Sequence, residues 1–122
     1  MMKRKFLSLA CALALLLTLF AVPTSAAEQI YDTDYKYITV NGVKYHFYLD
    51  IQGSYGETIG QSSGSKVMDC SMSVTTSSGV YWASGEGAYN MSASSSGHGV
   101  IHSSRSNCGI VGEIEGRVLI VE

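Results

Sequence analysis

Serines, histidines, carboxylates and tyrosines are the residues through which this chain can do chemistry, and their spacing decides how far each idea goes. Gly60-Gln61-Ser62-Ser63-Gly64 matches the GxSxG pattern of a serine nucleophile, and Ser63-Gly64-Ser65-Lys66 matches SxxK. GxSxG activates a serine where a strand feeds a helix through a sharp turn in a large α/β domain. No helical period surrounds this one, and glycine and serine are so abundant that chance matches are expected. His98 and His102 share a face on a strand but stand about two pleats apart, too far to grip one metal together with Cys70 and Cys108. No CxxC-type knuckle is present. Glu113, Glu115 and Arg117 share a face as well. Paired carboxylates cleave glycosides across a cleft, but side by side next to an arginine they read as a surface charge cluster. Asp32-Thr33-Asp34 starts like a calcium loop, yet Lys36 stands where an oxygen ligand belongs, and no glycine and closing glutamate follow at the right spacing. The sequence thus predicts no catalytic residue, no metal and no cofactor.

What remains is aromatic. Tyr35, Tyr37, His46 and Tyr48 fall on one outward strand face and are the candidate ligand contacts, with Tyr81 and Trp82 as an extension of the same platform. Tyrosine offers a large rigid contact area with a polar tip, which suits protein and sugar surfaces. The histidine adds a hydrogen-bonding group.

These side chains need a frame, and the stretch from Tyr35 to Ile51 supplies it. Two alternating runs flank Asn41-Gly42, the dipeptide best suited to a tight hairpin turn because both residues tolerate positive φ. The turn sets the register: Val40 opposite Val43, Ile38 opposite Tyr45, Lys36 opposite Phe47. Those residues, with Leu49 and Ile51, form an apolar inner face. The outer face pairs Tyr37 with His46 and Tyr35 with Tyr48.

Upstream, Lys3-Arg4-Lys5, an uncharged apolar run from Phe6 to Val22, then Pro23 and Ser25-Ala26-Ala27 have the layout of a secretory signal peptide cleaved after Ala27. Residues 28–122 would then form one secreted β domain, without stable membrane insertion. Its five basic and ten acidic residues give a net charge of −5, against −2 for the whole chain. That balance disfavours nucleic acid. Cys11 leaves with the signal. Cys70 and Cys108 remain, and an even count bound for an oxidising compartment predicts a disulfide, expected to bridge two sheets.

Along the chain, residues 28–34 read as a loose lead-in and 52–65 as a glycine- and serine-rich loop with one short extended piece near Glu57–Ile59. Met68, Cys70, Met72 and Val74 alternate as a core strand. A short run at 80–83 ends at Gly85-Glu86-Gly87. Residues 88–95 suggest a strand with Tyr89, Met91 and Ala93 inward, and Val100–Ser104 a short strand before a polar loop carrying Arg105, Asn107 and Cys108. Ile110–Val121 supplies the last one or two strands. Short strands between Gly/Ser turns predict an all-β fold, a small antiparallel β-sandwich or barrel-like domain of about six to eight strands. The functional expectation is an extracellular binding protein for a protein or glycan surface, not an enzyme. The alternative is a secreted bacteriocin-like or toxin-like protein. The precursor layout, the glycine, serine and tyrosine content and the short β domain resemble lactococcin-972-like bacteriocins in outline. No motif anchors the resemblance, and the cysteine pair departs from that family's architecture.

Overall fold

The computed structural model describes residues 29–122; the expected signal peptide and Cys11 lie outside the described residues. Eight antiparallel strands follow in chain order: β1 (Tyr31–Val40), β2 (Val43–Gln52), β3 (Tyr55–Ser62), β4 (Val67–Thr76), β5 (Gly79–Ala88), β6 (Asn90–Ser95), β7 (Ile101–Ile110) and β8 (Gly116–Val121). They form two four-stranded sheets, β1-β2-β3-β6 and β5-β4-β7-β8, that face each other without closing into a barrel. This is the expected sandwich rather than its barrel-like variant.

The β1–β2 hairpin has the register that the Asn41-Gly42 turn dictates, from Val40 opposite Val43 to Tyr31 opposite Gln52. Asn41 and Gly42 take φ of 52° and 80°, the positive values that match a two-residue turn to the twist of its strands. Pairing continues through Tyr31, so the segment expected to be a loose lead-in is the first half of β1. Thr33 Oγ1 donates to Asp50 Oδ1 at 2.7 Å and helps hold that half in place.

Inward rows from both sheets meet in one core. Ile38, Phe47, Leu49 and Ile51 come from the first sheet, Met68, Met72, Val74, Ile101, Leu119 and Val121 from the second, and each is almost fully buried. Burying a side chain of this size stabilises by about 1.5–3 kcal/mol, which is why the β4 row covers the hairpin's apolar face.

Two stretches expected as a loop and a break are strand, for a shared reason. Their glycines sit where a side chain would not fit, not where the chain must turn. In β3, a Cβ on Gly56 would stand 3.0 Å from Ile51 and one on Gly60 3.0 Å from Met91. Glycine here makes room for large core neighbours, so 52–65 is mostly strand. In β5, a Cβ on Gly85 would stand 2.6 Å from the Ser92 carbonyl oxygen, and one on Gly87 would meet that of Asn90. The run from Val80 therefore continues through Gly85 and Gly87, and the backbones of β5 and β6 touch. The chain reaches β6 through Tyr89, whose φ is 67°. Tyr89 is exposed rather than inward, while Met91 and Ala93 are buried as expected. β7 runs unbroken to Ile110, so Arg105, Asn107 and Cys108 lie on a strand.

Cys70 and Cys108 form the predicted disulfide. It does not bridge the sheets: the two residues face each other on β4 and β7, neighbours within one sheet. The link between sheets there is polar. Thr58 Oγ1 on β3 and Ser106 Oγ on β7, both fully buried, share a hydrogen bond of 2.8 Å beside the disulfide. Thr58 Oγ1 also donates to the Tyr48 carbonyl at 3.1 Å, so the buried hydroxyls are satisfied.

Candidate functional site

β1 and β2 present the four candidate contacts on the outer face of the first sheet, and the structure gathers them into one cluster. Tyr35 is its centre. Its ring stacks on Tyr48 at 5.0 Å between centroids and lies nearly parallel to His46 at 5.7 Å, the two joined edge to edge by a hydrogen bond of 2.6 Å between the Tyr35 hydroxyl and His46 Nδ1. Tyr37 tilts against Tyr35 at 6.4 Å and against His46 at 6.3 Å. Lys44 Nζ lies 4.6 Å from the centroid of the Tyr37 ring. Each aromatic contact of this kind contributes about 0.5–1.5 kcal/mol, and an exposed cation–π contact about 0.5–1 kcal/mol. The rings thus hold each other in place before any partner arrives. Tyr35 and Tyr37 are 44 % and 43 % exposed, while His46 and Tyr48 are half-buried among them.

The strand that bears Tyr35 and Tyr37 is anchored from behind by an inward-facing carboxylate. Asp34 Oδ2 accepts from the Ile120 backbone N–H on β8 at 2.9 Å and from Lys36 Nζ at 3.0 Å, and Oδ1 accepts from the Tyr35 N–H at 2.9 Å. Burial pushes the Asp34 carboxyl up, but the Ile120 N–H, Lys36 and the Tyr35 N–H together outweigh it and hold the group below its ordinary value. Arg117 Nε adds a second tie to β1 by donating to the Tyr37 carbonyl at 3.1 Å.

Next to the rings lies a shallow depression lined by Thr33, Tyr48, Asp50, Ile59 and Gln61. Ile59 and Gln61 belong to β3, where Ile59 pairs with Tyr48 and Gln61 with His46. They went unnoticed because β3 reads as a loop. The signal for them is period two: small Gly56, Thr58 and Gly60 alternate with Tyr55, Glu57, Ile59 and Gln61.

The other sequence candidates scatter. Tyr81 and Trp82 sit on β5 in the second sheet, so they do not extend the tyrosine platform; Tyr81 packs against the core and stacks on His98 at 3.7 Å. His102 is exposed on β7, away from that stack. Ser62 Oγ donates to the Lys44 carbonyl at 2.8 Å and accepts from the Gly64 N–H at 2.9 Å, which makes it a strand-end anchor with no helix after it. Glu113 and Glu115 lie in the β7–β8 connection, not on a strand, where they pair with Lys66 at 3.5 Å and Arg117 at 2.9 Å. Among the described residues, no group of three or more His, Cys, Asp or Glu side chains is placed to hold a metal.

No family model, curated protein or solved structure matches the chain.

Proposed function

We propose that the protein is a small secreted binding module that engages an extracellular partner through the Tyr35, Tyr37, His46 and Tyr48 face. The observation that carries this reading is the packing of those rings around Tyr35, which stacks on Tyr48 and is hydrogen-bonded to His46. Tyr35 and Tyr48 turn ring faces against one another, and the Tyr35 hydroxyl is held by His46, which leaves a mixed surface of ring edges and polar groups. Such a surface suits a protein partner, which offers backbone and side-chain hydrogen-bonding groups, better than a sugar, which needs a free ring face. Pre-stacking also lowers the entropy lost when the partner docks. The signal-like N-terminal segment and the disulfide support an extracellular destination.

The test immobilises the purified protein and measures retention of extracellular proteins and of polysaccharides, comparing wild type with Tyr35→Ala, Tyr37→Ala and Tyr48→Ala. A saturable protein ligand lost in the variants, while each still melts cooperatively above the assay temperature, supports the reading. Equal retention by all four proteins overturns it. Growth inhibition of neighbouring cells by added protein, unaffected by the tyrosine changes, would favour a toxin instead.

A further inference from the structure

The opposite face of the sandwich carries a different kind of aromatic residue. Trp82, the chain's single tryptophan, is 70 % exposed on β5, and among the described residues no other aromatic ring stacks on it. Strand pairing places it in a row that crosses the second sheet through Ser73 on β4 and Arg105 on β7. A shallow trough lies to one side of that row, lined by Asp69, Ser71, Ser84, Glu86 and Asn107. A second trough takes in the Ser73 and Arg105 part of that row and is lined as well by Thr75, Ser103, Ile120 and Glu122. Asp69 and Glu86 stand directly opposite each other on neighbouring strands. Like charges so placed disfavour the sheet. Neither they nor Arg105 take part in an ion pair among the described residues.

We infer that this face binds a neutral saccharide chain, with Trp82 as the stacking platform and Asn107, Arg105 and the Asp69–Glu86 pair as partners for sugar hydroxyls. A pyranose presents an apolar C–H face and a rim of hydroxyls. An exposed indole takes the first for one sugar, and the carboxylate, amide and guanidinium groups further along and across the sheet take the hydroxyls of neighbouring sugars in the chain. Three carboxylates, Asp69, Glu86 and Glu122, against the single Arg105 make this face net negative, which disfavours sulfated or carboxylated polymers and nucleic acid and favours uncharged sugars. The small serines leave the troughs open for a chain to lie along the sheet. This site lies on the other sheet from the tyrosine platform and does not depend on it.

The single tryptophan makes the test direct. The purified protein is titrated with cellotetraose, chitotetraose, mannotetraose and galactotetraose, with heparin as the charged control, while Trp82 emission and binding heat are followed. One or more neutral oligosaccharides should shift the emission saturably. Trp82→Ala should weaken binding roughly tenfold or more, Trp82→Phe less, and Asn107→Ala measurably. Melting temperatures should stay within a few degrees of wild type, because these side chains are exposed. Tyr35→Ala should bind sugar as wild type does, which keeps this result separate from the fate of the tyrosine face. The inference is overturned if no neutral oligosaccharide binds, if heparin alone binds, if Trp82→Ala binds unchanged, or if the emission moves with protein concentration alone, the mark of self-association through this face.

Discussion

Asp34 is the residue whose removal should tell most about how the two sheets stay together. It sits on β1 yet accepts a hydrogen bond from the backbone of Ile120 on β8, in the other sheet. A hydrogen bond to a charged group contributes about 1.5–3 kcal/mol. The Lys36 pair is partly exposed and adds about 0–1 kcal/mol. The Asp34 side chain is 27 % exposed, so the lower end of these ranges applies. Asp34→Ala should then cost about 2 kcal/mol, and Asp34→Asn, which keeps an acceptor but no charge, about 1 kcal/mol. In a domain of this size each kcal/mol moves the melting temperature by about 4–8 °C. The pH dependence is the sharper test. The folded carboxyl titrates below the unfolded value of 3.8. Its contribution is therefore complete above that value and is lost as pH falls through the lower folded one. Urea unfolding of wild type and Asp34→Asn should give curves separated by a constant gap from neutral pH down to about pH 5, closing at lower pH. A gap that persists undiminished into strong acid would mean that the carboxylate's charge is not what joins the sheets. No gap at neutral pH would refute the latch altogether.

Three further outcomes follow from the core and the turns. The disulfide closes a separation of 38 residues and both sulfurs are buried, so reductant should not reach it in the folded state. Thiol labelling followed by mass spectrometry should show reduction only when urea unfolds the protein, and Cys70→Ala/Cys108→Ala should lose about 4 kcal/mol. Thr58→Val leaves the buried Ser106 hydroxyl only the weak acceptor Cys108 Sγ at 3.3 Å and should cost about 1–3 kcal/mol by urea unfolding, whereas Thr58→Val with Ser106→Ala should recover part of that loss. Gly42→Ala meets no atom within 4 Å and pays only for its positive φ, about 1–2 kcal/mol; Gly87→Ala drives a Cβ into the Asn90 carbonyl and should cost more in the same thermal melt.

The hairpin was legible because its rules are local. Asn41-Gly42 fixes a turn, the turn fixes the register, and the register puts Tyr35, Tyr37, His46 and Tyr48 on one face. Cys70 could be paired with Cys108 by elimination, but that the bridge lies within one sheet depends on which strands are neighbours, and no local pattern encodes that. Glycine was the main source of error. The same residue serves a turn at Gly42, room for Met91 at Gly60 and a backbone crossing at Gly87, and only the neighbours in space tell these apart. Asp34 was hidden for a similar reason: its partner is a main-chain N–H that lies 86 residues further along.

Both open sides of the sandwich are occupied. The backbones of β5 and β6 touch along one, and side chains from β1 and β8 reach across the other. Strand addition at these edges would have to displace those contacts first. On the two broad faces, by contrast, side chains alternate with the core and can be exchanged without repacking it. The fold can thus be re-specified for new partners one outward position at a time, and two specificities can evolve on it independently, back to back.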